Sequence, residues 1–516
     1  MTWDNSAITI ATFLPAVGAV VIALVPSRRD RLIRGLGILF TGAALVVGIA
    51  MLFGFDFGGG AGAMQFNLTT SWIPAINAHY HVGIDGISLP LFELTLLLTF
   101  LCAIYSWRVI PSPGKTKGFL ALVLLLETGM AGTFIALDLV LFFIFWELVL
   151  VPMYFLIAVW GSSNREYAAI KFFLYTLFGS VFMLLAFIGM YFSSHVGSAG
   201  AHTFDILELQ QFGANGGFSH DFQMVAFIGV FLGFAIKVPM WPFHTWLPDA
   251  HTEAPTVGSV LLAGIMLKLG AYGFIRIALP ILPEAAHAWA PWIGLLAAIA
   301  IVYAALACLA QRDLKRLIAF SSVGHMGFVM LGIATLTTIG INAAIFGMVA
   351  HGIITGMLFF EVGSIYDRYH TRQISEIGGG MLQKIPALGG ILAFTAIASL
   401  GLPGLAGFWG EVTALFSSFQ PASGLSVSWF RAFMIAGGVG TILTAGYFLW
   451  MLQRVDLGVE PDRWKGEAIR DVSAIEWVSW VPLLLGIFVL GLFPRLVFGV
   501  TNEAVTGLTH LIGLGG

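Results

Sequence analysis

Charge and cysteine are what this sequence has least of. Only 10% of its 516 residues are Asp, Glu, Lys or Arg, and the formal net charge is -3. No basic tract is present, which argues against a surface built to neutralise nucleic-acid phosphates. The two cysteines, Cys102 and Cys308, fall inside apolar runs. They cannot supply the four thiolates of an iron–sulfur cluster, and a structural disulfide between them is not expected. No dinucleotide fingerprint or Walker loop occurs, because the glycine runs at Gly58–Gly60 and Gly378–Gly380 lack the required order. No redox centre or bound cofactor is therefore expected in this chain. A cleavable leader is not expected either: Asp4 precedes the first apolar run and Arg28 follows it, the reverse of a signal peptide's charge order.

What is abundant is apolar surface. With 58% hydrophobic residues and a mean hydropathy of +0.93, the chain reads as an all-α polytopic membrane protein whose solvent is the lipid bilayer. A window of ~20 residues places spans beginning near Ile8, Gly35, Leu89, Gly118, Leu139, Ala168, Phe222, Thr256, His287, Leu317, Ile339, Pro386, Trp429 and Ile475, about fourteen in all. The intervening Phe55–Asp85 and Ser193–Asp221 contain no Lys or Arg and read as ordinary outer loops.

Basic residues set the orientation. With the N-terminus outside, the inner loops hold Arg28, Arg29, Arg31, Arg34, Arg108, Lys115, Lys117, Arg165, Lys171, Arg312, Lys315, Arg316, Arg368, Arg372, Lys384, Arg454, Arg463, Lys465 and Arg470, whereas the outer side holds Arg276, Arg431 and Arg495. This asymmetry predicts that both termini face away from the cytoplasm.

The two remaining lysines lie inside apolar segments. Lys237 is followed by Pro239 and Pro242 in GFAIKVPMWPFHTWLPDAHTEAPT; proline removes a backbone donor and clashes with the preceding turn, so span seven should break beside a buried charge. Lys268 sits too centrally in span eight to snorkel. Glu147 lies near the middle of span five, one turn from a carbonyl that Pro152 cannot satisfy, and Glu411 follows SLGLPGLAGFWG, whose proline and glycines should break span twelve. His325 and His351 stand near mid-span on consecutive segments, where an imidazole can accept at one nitrogen and donate at the other. Burial and opposite charge move lysine and carboxylate pKa values in opposing directions, so these groups can form a proton relay. The competing readings are a structural ion pair for the lysines and Glu147, a core hydrogen bond for the histidines and a helix-terminus interaction for Glu411. His244 and His251 fall in the connection between spans seven and eight, with no zinc-site spacing, and are expected near an entrance or holding the loop. Glu127 is central in its span; Asp138 reads as a cap, and Glu93 and Glu361 as solvated or paired groups toward span ends.

Four stretches, FWELVLVPMYFLI, KVPMWPFHTWLPDAHTEAPT, RDLKRLIAFSSVGHMG and GLPGLAGFWGE, closely resemble the antiporter-like subunits of bacterial NADH:quinone oxidoreductase (respiratory complex I), and in particular its M branch. The resemblance runs from about Gly118 to Trp450. It implies two inverted five-helix repeats, spans 4–8 (residues 117–280) and 9–13 (residues 281–454), with broken helices 7 and 12, preceded by spans 1–3 (residues 1–116) and followed by a cytoplasmic connector and span 14 (residues 455–516). It also implies roles: Glu147 modulates Lys237, Lys268 is the central relay, His325 and His351 connect a hydrated chain, and Glu411 passes the proton outward. L and N subunits typically carry lysine where Glu411 stands, and L subunits a long lateral helix after span fourteen. By the same resemblance, NADH, FMN, iron–sulfur clusters and quinone belong to partner subunits, and the neighbours are other membrane-arm subunits, especially L and N. A subunit of a multi-subunit sodium/proton antiporter is the alternative.

Overall fold

The computed structural model describes residues 3–513 except 59, 61, 198 and 199. All fourteen expected segments are helical. In order they are Trp3–Leu24, Asp30–Gly54, Leu89–Tyr105, Thr116–Ile135, Leu139–Trp160, Arg165–Ser193, His220–Lys237, Thr256–Ile281, Pro283–Leu309, Leu314–Ala334, Thr338–Tyr369, Pro386–Ser399 with Ala406–Phe419, Val427–Val455 and Ala474–Leu492. Among the described residues, twelve helices are long and apolar enough to cross a membrane; Leu89–Tyr105 and Pro386–Ser399 are shorter. Observed starts mostly precede the expected ones by a few residues, because first turns carry polar groups that a hydropathy window discounts. Asp313, for example, caps span ten by accepting from the Lys315 and Arg316 amides.

Span seven ends at Lys237, and the chain turns through Val238–Thr245 before the short helix Trp246–Glu253. Its last carbonyls are satisfied locally: the Val238 amide donates to Phe234 O at 2.9 Å, the Met240 amide to Ala235 O at 2.9 Å, and the Trp246 indole to Ile236 O at 2.9 Å. Three of the carbonyls left open by the helix end are thus satisfied inside the protein. The short helix is tied down by Glu253, which accepts from the Ser162 hydroxyl at 2.6 Å and the Asn164 amide at 3.0 Å, and by a Lys171–Asp249 pair at 2.7 Å. In span twelve the two halves meet at residues 400–405, where Gly401 and Gly404 adopt φ of +84° and +94°, a region open to glycine but strained for other residues.

Span eight, Thr256–Ile281, is buried along its whole apolar length, while Asp30–Gly54 faces outward over most of its own. Span eight is also not a regular α-helix: π-wound turns at Leu262–Met266 and Phe274–Ala278 flank Lys268. Gly270 lets it approach the end of span seven closely, since a Cβ there would lie 2.7 Å from Phe234 O.

Several features differ from expectation. Span five is interrupted at Val149, dividing it into Leu139–Leu148 and Leu150–Trp160. The first outer loop contains an antiparallel hairpin, Gln65–Ile73 with Ala78–Ile84, and the second a helix, Ile206–Ala214, capped by Asp205. His81 joins them through a 2.5 Å contact to Asp205. Arg276 is not a loop residue but forms a buried 2.6 Å ion pair with Asp85, each side chain 3% exposed. After the last expected span, the chain adds the helix Arg495–Leu511. Asp138 is a cap, as expected, accepting from the Val140 and Leu141 amides.

Candidate functional site

Lys237 closes span seven and is 2% exposed, so within this chain it does not snorkel. Its ammonium lies 5.0 Å from the centroid of the Trp146 ring, a cation–π contact worth about 0.5–2 kcal/mol. Trp146 is held in turn by its indole, which donates to Ser180 Oγ at 3.0 Å. Glu147, next in the chain, couples electrostatically to Lys237, yet the two make no ion pair among the described residues. The lysine thus rests on an aromatic face with its carboxylate partner slightly withdrawn.

A second set of groups is joined by direct contacts. Lys268, 0% exposed, places Nζ 2.6 Å from His351 Nδ1 and also donates to the Ala263 carbonyl. The His351 and His325 rings have centroids 5.6 Å apart. His325 Nδ1 lies 2.7 Å from Glu411 Oε1, and its Nε2 lies 3.1 Å from Ser399 Oγ. Spans eight, eleven, ten and twelve each supply one member of this row. Glu411 is the sixth residue of Ala406–Phe419, and its carboxylate contacts His325 and makes no cap contact to the helix terminus among the described residues.

Between the imidazoles and Glu411 is a cavity of about 20 Å³ measured at water centres, lined by His325, His351, Thr355, Ser399 and Glu411 among others. That is room for about one water. Three buried atoms on these residues, His351 Nε2, Thr355 Oγ1 and Glu411 Oε2, have no protein partner, which gives a water there the polar contacts it needs.

The geometry limits the charge states. Two unit charges 2.6 Å apart would repel by about 6 kcal/mol at an effective dielectric constant of ~20, so Lys268 and His351 hold at most one excess proton between them. When that proton is on lysine, neutral His351 accepts at Nδ1 and carries its own hydrogen on Nε2, facing the cavity. Receipt at Nδ1 and release from Nε2 then moves a proton across the ring. His325 is similarly placed between Ser399 and Glu411.

A family model described as NADH:quinone oxidoreductase/Mrp antiporter, TM, matches residues 136–444. The chain belongs to this antiporter-like membrane family. Within the family it groups with M subunits. The NADH-quinone oxidoreductase subunit M of Rickettsia bellii is 40% identical, with 97% of this chain and 98% of that relative covered. A chain of the respiratory complex I from Thermus thermophilus with bound NADH superposes with a TM-score of 0.85 at 28% identity, covering 98% of this chain and 100% of that one. A chain of the Mrp complex from a Dietzia species shares the fold, with a TM-score of 0.84, 21% identity and full coverage of both chains.

Of the candidates read from sequence, this antiporter-like fold gathers Lys268, His351, His325 and Glu411 in one row and sets Glu147 and Lys237 in a separate cluster near it. His251 is not on an open loop. It lies in the short helix Trp246–Glu253, fully buried, with its ring stacked on Phe359 at 4.7 Å; Lys268 and Lys315 are its charged neighbours. His244 is 3% exposed and packs on Tyr303 with ring centroids 5.0 Å apart. Ser399 and Thr355 were not singled out, because single hydroxyls inside apolar helices give no signal of what they face. Of the two readings for Glu361, solvated or paired, the structure shows the second: it accepts from the Thr395 hydroxyl and is 0% exposed, two turns before the end of Thr338–Tyr369. Among the described residues no group of three His, Cys, Asp or Glu side chains could hold a metal ion.

Proposed function

We propose that this chain is a proton-translocating subunit of the membrane arm of NADH:quinone oxidoreductase. Lys237, tuned by Glu147, passes protons toward Lys268; Lys268 delivers them through His351 and His325 to Glu411, which releases them outward. His251, beside Lys268, belongs to the approach to this row. The observation that carries the reading is the run of contacts Lys268–His351–His325–Glu411, in which an amine, two imidazoles and a carboxyl meet inside the protein, the first three near the middle of their helices. An ionisable group costs several kcal/mol to bury in a membrane protein, and four in sequence are hard to explain as scaffold.

Oxidation of NADH and the FMN, iron–sulfur and quinone chemistry belong to partner subunits, and the exposed apolar flanks of this chain meet L and N subunits and lipid. The breaks in spans seven and twelve support two inverted repeats, residues 117–280 and 281–454. The basic residues of the connector at residues 456–473 support a cytoplasmic connector, with both termini on the periplasmic side. Mild solubilisation tests the assignment: this chain should migrate with NADH:quinone activity. Migration with sodium/proton exchange and without NADH oxidation would replace it with the antiporter reading.

A further inference from the structure

Glu361 and Asp456 are buried carboxylates that the row above does not use. Glu361 Oε1 accepts from the Thr395 hydroxyl at 2.7 Å, while its Oε2 has no partner. Asp456, at the foot of span thirteen where the charged connector begins, is 1% exposed, and neither of its carboxylate oxygens has a partner. Gly389 makes room for it: a Cβ there would lie 2.5 Å from Asp456 Oδ1. The two carboxyls lie within electrostatic range of each other. Gly389 and Thr395 are on the same helix as Ser399, which contacts His325 Nε2 at 3.1 Å. Thr395 and Ser399, four residues apart, share one face of it, with Cβ atoms about 5–6 Å apart.

We propose that Asp456, Glu361 and Thr395 form a second proton inlet, opening on the connector side and loading His325 through Ser399 without passing Lys237 or Lys268. This rests on the proton-translocating reading given above. Asp456 takes a proton from water at the connector and passes it to Glu361. The Thr395 and Ser399 hydroxyls relay it to His325 Nε2, as His325 gives up its Nδ1 proton to Glu411; each group accepts one proton and releases one. Three orphaned carboxylate oxygens are a poor choice for a scaffold, where an unmet buried acceptor is a cost, but they suit groups that bind and lose a proton. Thr395 and Ser399 do not hydrogen-bond to each other among the described residues. Conduction therefore waits for water or a small helix shift to close that one-turn gap, which prevents a standing leak from inlet to Glu411.

The test uses the assembled oxidoreductase in sealed vesicles, measuring protons translocated per NADH oxidised at equal content of this chain. Glu361→Gln, Asp456→Asn and Thr395→Val should each lower the ratio by up to the amount lost in a parallel Lys268→Met complex. Glu361→Asp and Thr395→Ser, which keep the ionisable group and the hydroxyl, should restore it. Should Glu361→Gln fail to assemble, Thr395→Val carries the same prediction with a near-isosteric change. Full ratios in Glu361→Gln and Thr395→Val beside a lowered Lys268→Met would overturn the inlet and leave the main row standing. A full ratio in Lys268→Met would instead overturn the reading on which the inlet rests.

Discussion

Replacing His351 by leucine separates a relay from a structural contact. In the native chain its Nδ1 lies 2.6 Å from Lys268 Nζ, and its Nε2 borders the small cavity that reaches Glu411. Leucine fills most of the ring's volume, so the vacated space does not simply admit a substitute water, and Lys268 keeps the Ala263 carbonyl as acceptor. What is lost is a positioned acid–base group, which contributes ~10²–10⁴-fold to a proton-transfer step, or about 3–5 kcal/mol of barrier at ~1.4 kcal/mol per tenfold. That loss slows passage from Lys268 to His325 below the pace of turnover, while protons that enter at His325 without passing His351 are untouched. The assay is lumen acidification per NADH oxidised in sealed vesicles with the complex assembled normally. The ratio should fall by a fixed step, not to zero, and His351→Ala should lose less because water can enter the larger space. A His351→Leu complex that pumps at the full ratio would refute the relay and leave His351 as a hydrogen-bonded core residue.

Two other consequences concern the frame around the row. Arg276→Met leaves Asp85 buried without its counter-charge and should destabilise the protein by about 3–5 kcal/mol, whereas Arg276→Met with Asp85→Leu should recover much of that loss; thermal denaturation of the purified assembly would show the order. Burial pushes the Asp456 carboxyl up to about 7. Because the folded value lies above the ordinary one, ionisation of Asp456 weakens the fold as pH rises from about 4 through 7. Asp456→Asn should therefore gain heat stability relative to the native chain at pH 8 but not at pH 4, and an infrared acid band lost in that variant should fade in the native protein as pH passes 7.

Hydropathy made the helices legible because each one must satisfy its backbone within an apolar run, and the prolines after Lys237 marked a real interruption of span seven. The breaks at residues 238–245 and 400–405 followed from local rules about proline and glycine. Pairing between distant segments was not legible. Nothing near Asp85 in the sequence points to Arg276, and nothing near Glu361 points to Thr395 or Asp456. The outer hairpin was missed because a loop without basic residues reads the same whether or not its strands pair. The π turns around Lys268 also leave no pattern in the sequence. The candidate row was visible as four ionisable residues in apolar surroundings, but their order came only from the contacts: Lys268 to His351, and His325 to Glu411.

The central claim is that protons cross the membrane by way of this buried row, and Lys268→Met tests it most directly. Methionine keeps an unbranched apolar stem one atom shorter and removes the proton-carrying amine. In assembled complexes of equal content, the account predicts fewer protons delivered to the outer side per NADH oxidised. An unchanged ratio would contradict it.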